Sequence, residues 1–157
     1  MAWLSGADHL PRFAPSGGRE PASHATTGGI VIFARILSKI RLAAEGRLPD
    51  GYHIGVMPGN RTFDDRVCCF LGIGFEDLQA RTLEGGSDEE ILEWAFRTGR
   101  RPDAEQIEVW NTFMKKRGWR DPASEGLEKS KAESGLGHRT DIVTFFDLMD
   151  VEEGRAP

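Results

Sequence analysis

Trp110-Asn111 is the pair in this sequence whose residue types best suit recognition. An indole offers a broad apolar face, and a carboxamide offers both donors and an acceptor. Asn111 is a mediocre helix former set in a helical stretch that is otherwise apolar on one side, and a buried amide left unpaired costs about 1–3 kcal/mol. Something must satisfy it. The favoured reading is an internal hydrogen bond; the functional one is a ligand or partner oriented in a polar recess beside aromatic surface. A second set, Arg35, Lys39 and Arg41, has the charge to hold an anion, against the simpler reading of a solvated helix face. The expected ligand- or partner-binding residues are therefore Asn111, Trp110, Arg35 and Lys39.

Other chemistry finds less support. Cys68 and Cys69 are adjacent, which rules out a loop-closing bridge between them and the spacing of a zinc half-site. Asp64 and Asp65 nearby disfavour a reactive thiolate, so at least one of the two cysteines reads as core. His9, His24, His53 and His138 stand singly, without a His-Glu-x-x-His or Cys-x-x-Cys spacing. Asp147, Asp150, Glu152 and Glu153 lack the ligand alternation of a calcium loop and read as a solvated acidic helix end. Gly72-Ile73-Gly74 follows a helix rather than a strand, so it reads as a helix-ending turn and not as a nucleotide loop. Ser134-Gly135-Leu136-Gly137 lacks the glycine that precedes a nucleophile elbow and reads as a linker. No catalytic residue, metal or cofactor is assigned.

The chain has 157 residues, 39% apolar and 29% charged, with four Trp and nine Phe, which fits one folded domain. Its formal net charge of −5 argues against broad attraction to nucleic acid or anionic lipid, so neither is expected as a partner. An unknown small ligand or a protein is the expected partner. The N-terminus lacks an export pattern and no apolar run approaches a membrane span, so a cytoplasmic setting is expected and Asn60-Arg61-Thr62 is a chance match to the glycosylation pattern.

The elements that must position these residues are helices. Residues 1–27, rich in Gly, Pro, Ser and His, read as a flexible arm on which Trp3, Leu4, Leu10 and Phe13 are the apolar points of contact. After Gly28-Gly29, the spacing of Phe33, Ile36, Leu37, Ile40 and Ala44 predicts a helix that ends near Gly46 and Pro49-Asp50-Gly51. Tyr52 to Met57 reads as a short extended piece. Thr62 to Asp65 has the form of a capping box opening a helix that carries Phe63, Val67, Phe70 and Leu71. Phe75 to Leu83 is helical again, and Ser87 through Glu90 opens a helix with Ile91, Leu92, Trp94, Ala95 and Phe96 that stops at Gly99.

Asp103 caps the next helix, whose apolar face is Ile107, Trp110, Phe113 and Met114 and whose last turn carries Lys115, Lys116 and Arg117. Asp121-Pro122 starts a largely polar, exposed helix. Thr140 or Asp141 caps the last, with the stripe Ile142, Phe145, Phe146 and Met149. Phe33, Ile36, Leu37, Ile40, Trp94, Trp110, Ile142, Phe145 and Phe146 should be largely buried.

With these segments in order, the chain resembles a bacterial family of domains of unknown function, number five thousand and sixty-nine. The segments that carry the resemblance are Gly28-Gly29, Tyr52 after Gly51, Phe70-Leu71-Gly72-Ile73, Ser87-Asp88-Glu89-Glu90 with Trp94, Trp110-Asn111, and Arg139-Thr140-Asp141 through Asp150 with Glu153-Gly154-Arg155. The first helix departs from the pattern, opening Ile-Phe-Ala-Arg at Ile32 to Arg35 in place of a Leu-Pro-Arg. The resemblance implies a shared fold and no activity.

The expected fold class is mainly α: a compact bundle of short helices in one domain over 28–157, with a loose N-terminal arm over 1–27. The leading functional reading is a non-enzymatic binding or interaction domain. The alternative is a small enzyme whose site is assembled from distant polar residues.

Overall fold

The computed structural model describes residues 21–59 and 61–157. The arm residues through Glu20, with Trp3, Leu4, His9, Leu10 and Phe13, lie outside the described residues, as does Asn60 of the glycosylation pattern. Among the described residues the architecture is mainly α. In chain order the elements are β1 (Thr26–Thr27), β2 (Ile30–Val31), α1 (Phe33–Ala44), α2 (Phe63–Leu71), α3 (Phe75–Leu83), α4 (Asp88–Thr98), α5 (Ala104–Lys116), α6 (Ser124–Glu133) and α7 (Phe145–Glu152). None of these helices is long and apolar enough to cross a membrane. The chain divides into two units, one holding 21–48 and Ile54–Asn111, the other Pro49–His53 and Thr112–Pro157.

The first unit is built on α1. Its apolar residues Phe33, Ile36, Leu37 and Ile40 are all buried, as their spacing requires, and α1 packs on α3 and on β1. In front of it stands a feature that helix periodicity does not reveal, an antiparallel hairpin pairing Thr27 with Ile30 and Thr26 with Val31. Gly28 and Gly29 both have positive φ, 54° and 80°, the requirement of a tight two-residue hairpin turn. A Cβ on Gly28 would also lie 2.4 Å from the Leu92 side chain. Ser23 and Thr27, within the stretch whose composition reads as arm, are buried. Ile32, between β2 and α1, has a φ of 72°, a costly conformation for a β-branched residue that its complete burial holds in place.

The two short helices that meet at Gly72 and Gly99 show why the glycines recur. Gly72 ends α2 in the left-handed region at φ 70°, which supports the reading of Gly72-Ile73-Gly74 as a helix-ending turn. Gly99 is needed for a different reason: a Cβ there would sit 1.9 Å from the Leu71 carbonyl oxygen, which accepts a hydrogen bond from the Arg100 N–H at 2.9 Å. The capping box Ser87 to Glu90 forms in both directions. Only half of one forms at Thr62, whose hydroxyl accepts from the Asp65 N–H.

In the second unit Leu127, Ile142, Phe145, Phe146 and Leu148 are buried, and Gly118, at φ 100°, lets the backbone approach Leu127 and Phe145. Two expectations change here. The last helix starts at Phe145, capped by Thr144, and Ile142 precedes it. The reason is a capping box formed by Thr144 and Asp147, which satisfies the first-turn N–H groups better than Thr140 or Asp141 can. The polar helix α6 is not wholly exposed either: Leu127, Ser130 and Lys131 are buried, the lysine stem covering apolar surface while its Nζ reaches Glu128 at 3.1 Å.

The largest departure is α5. Of its expected apolar face only Met114 is fully buried; Ile107 and Trp110 are half-buried and Phe113 is 42% exposed. Trp94, on α4, is likewise half-buried. Local interactions at both ends support α5. Asp103 and Gln106 cap each other reciprocally, at 2.8 and 2.9 Å, and Lys115 and Lys116 sit at the negative end of the helix dipole.

Candidate functional site

Asn111 turns its amide toward the hairpin. Its Oδ1 accepts the Val31 N–H at 3.2 Å, and its Nδ2 donates to the Gly29 carbonyl at 2.6 Å. Gly29, at the end of the turn, and Val31, on β2, offer these two backbone groups within reach of one carboxamide, which pairs with both. The two-stranded hairpin thereby gains hydrogen bonds on an edge that would otherwise need water.

Beside it, the Trp110 ring stacks on Phe70 with centroids 4.7 Å apart and planes 13° from parallel. The Arg100 guanidinium lies 5.0 Å from the Phe70 centroid, and its Nε donates to the Phe70 carbonyl at 2.6 Å. Arg100 is exposed, no carboxylate lies within ion-pair distance of it among the described residues, and the Nε bond fixes its guanidinium. Val109, next to Trp110, is 63% exposed. Phe70, Trp110 and Arg100 thus form one stacked cluster with an oriented cation, next in sequence to the exposed Val109.

Arg35 and Lys39 occupy a different environment. Both are buried. The Lys39 Nζ donates to both oxygens of Asp64, at 2.8 and 2.9 Å, and Asp64 also accepts the Gly55 N–H at 2.8 Å. The Thr62 hydroxyl closes the knot by donating to the Gly55 carbonyl at 2.8 Å. Arg35 donates from Nη1 to the Pro21 carbonyl at 3.3 Å, among other contacts. Only Arg41 of the three reaches the surface, where it pairs with Asp88 at 2.7 Å. The basic stretch is thus not a solvated face. The partnership of Lys39 with a residue 25 positions away has no sequence signal; Asp64 reads there as a helix-cap acid.

Cys68 is buried and Cys69 exposed. Burial, then the charges of Asp64 and Asp65 and the neighbouring Cys69, pushes the Cys68 thiol up to about 12, so it stays protonated and unreactive near neutrality. Among the described residues no group of three His, Cys, Asp or Glu side chains could hold a metal ion. The C-terminal acids are not a solvated helix end. Asp147 accepts the Val143 and Thr144 N–H groups, Glu152 accepts the Ser134 hydroxyl, and buried Glu153 holds Arg155. An open recess of about 440 Å3 is lined by Arg81, Glu89, Glu90, Glu93 and Arg97. Three of these have local partners: Arg81 donates to Gly85, Glu90 closes the capping box and Glu93 takes Arg101.

The end of α5 carries residues to which no sequence motif assigns a binding role. Trp119 is 47% exposed, with the Arg120 guanidinium 5.4 Å from its ring, and Arg117 lies 5.4 Å from the Phe113 ring. Lys115, Lys116 and Arg117 read in the sequence only as complements to the helix dipole, and the aromatic neighbours on either side were the available signal for a surface.

No curated protein matches the chain. A family sequence model does, over residues 19–155, which is nearly the whole chain: the protein belongs to the family described as a domain of unknown function, DUF5069.

Proposed function

We propose that this chain is a non-enzymatic recognition domain that binds a partner protein through the surface of Phe70, Arg100, Val109 and Trp110. One observation carries the reading. The helix α5 buries a single side chain, Met114, yet exposes Val109 and part of Trp110, whose partner Phe70 carries a guanidinium already oriented and with no carboxylate in reach among the described residues. Trp and Arg are the residues around which binding energy concentrates, and fixing them in advance lowers the entropic cost of association. Trp110 supplies contact area, Arg100 takes a carboxylate or carbonyl at the rim, and Asn111 is a positioning residue that anchors α5 to the hairpin. Arg35 and Lys39 serve the free protein's own stability. The setting in this reading is the bacterial cytoplasm, with which two free thiols are in keeping.

The test is site-specific photo-crosslinking in the source cell, with benzoylphenylalanine placed at Val109. A discrete adduct that weakens when Arg100→Ala is added supports the reading. No adduct above background, or the same adducts from the exposed position Glu105, overturns it.

A further inference from the structure

We propose that the end of α5 and the turn after it form a second, separate recognition surface, which takes a short acidic segment of a partner protein bearing an aromatic or aliphatic side chain. This surface shares no residue with the one around Trp110, and its test is separate. Phe113 and Trp119 expose 42% and 47% of their surface, each with a guanidinium over its ring, from Arg117 and Arg120. Trp119 does not ride on a soft loop. Asp121 accepts the Gly118 and Ala123 N–H groups at 3.0 and 2.8 Å, and its own N–H donates to the Ser124 hydroxyl at 2.9 Å. Arg120 is held at φ 49°, a left-handed conformation that persists in a non-glycine residue only where its surroundings impose it. An aromatic side chain fixed in this way keeps most of its contact energy when it is covered.

The charge identifies the occupant. Lys115, Lys116 and Arg120 are exposed and have no carboxylate within ion-pair distance among the described residues. Three unpaired cations within six positions stand in a chain whose formal net charge is −5. Screening limits each charge to about 8 Å at physiological ionic strength, so a segment of a few acidic residues meets only the cations. A nucleic-acid strand or an anionic bilayer extends beyond them, over a chain whose formal net charge is −5. The patch therefore fits a short acidic segment, with Lys116 and Arg120, three and seven positions after Phe113, meeting its carboxylates and Phe113 and Trp119 its apolar side chains.

Fluorescence anisotropy of the full chain with a labelled peptide of about six residues, Glu alternating with Phe and Leu, tests this. Saturable binding is expected at about 50 mM salt, weakening several-fold at about 200 mM. Trp119→Ala should weaken it about tenfold or more. Arg120→Asn, which keeps a residue tolerant of the left-handed turn, should weaken it and reduce the salt dependence even if Trp119→Ala proves unstable. Absence of saturable binding at low salt, or binding unchanged in both variants, overturns the proposal. So does an oligothymidylate or a phosphatidylserine vesicle that binds more tightly than the peptide in a Trp119-dependent way.

Discussion

Two polar regions of this protein use the same residue types to opposite ends. Around α1 and the hairpin, Lys39 and Asp64 are buried and Asn111 half-buried, and all three are engaged by each other or by backbone groups. At the end of α5, Lys115, Lys116 and Arg120 face outward with no carboxylate in reach among the described residues. Helical spacing and charge do not separate the two. What separates them is whether the surrounding chain leaves a backbone N–H, a carbonyl or a carboxylate that only that side chain can satisfy. Inside, an unmet polar group is expensive, so removing one partner should be felt by the whole fold; outside, water replaces the partner.

The largest effect expected is at Lys39. Lys39→Ala leaves the Asp64 carboxylate buried without its cation and should cost about 3–5 kcal/mol in denaturant-unfolding experiments. Replacing both partners, Lys39→Met with Asp64→Leu, should recover much of that loss, because the charge to be compensated is gone. A Lys39→Ala variant as stable as the wild type would break the comparison.

Asn111→Leu comes next. It strips the Val31 N–H and the Gly29 carbonyl of their partner and, because the second of these is exposed to water, should destabilise the free protein by about 0.5–1.5 kcal/mol. Hydrogen exchange sharpens the point, since the Val31 amide should lose protection before the amides in the middle of α1. An unchanged unfolding midpoint would mean that the amide's task lies outside the free fold.

By contrast, Lys115→Gln with Lys116→Gln should shift stability by less than about 1 kcal/mol, the scale of a helix-dipole contribution. A larger loss, read from the same unfolding curves, would place these lysines with the engaged class.

The smallest effect expected is at the exposed pair of Arg139 and Asp141. The Arg139 hydrogen bonds hold the Asp141 carboxyl at about 2, below its ordinary 3.8. A carboxyl lowered on folding contributes stability that is present above its unfolded value and is lost as pH falls through its folded value. Asp141→Asn should therefore leave the melting temperature near neutral pH almost unchanged. Its small deficit should vanish as the pH is taken from 3.8 to about 2. A deficit that persists at the acid end would assign Asp141 a role other than this ion pair.

Much of the fold was legible because its causes are local. The stripe of Phe33, Ile36, Leu37 and Ile40, the capping box at Ser87 and the stop at Gly72 depend on residues within a turn or two of one another. The candidate site was legible only in part. Trp110-Asn111 stood out because an amide in an apolar stripe demands a partner, but its partner lay 80 residues away in a hairpin too short to leave an alternating pattern. The exposed end of α5 was hidden by the assumption that apolar spacing means burial, which Phe113 does not obey.

The sequence alone determined that the chain is mainly helical, where most helices begin and stop, and that the apolar stripe of α1 enters a core. These follow from backbone geometry and from spacing that each segment carries within itself. Tertiary structure decided what the polar residues do. Whether Lys39 meets Asp64 or water, whether Asn111 closes a strand edge, and whether Gly99 must lack a Cβ all depend on atoms that the chain brings together only after its helices pack. A charge or an amide acquires its role from the nearest unmet group, and nearness across the fold is not encoded in the spacing of any single element.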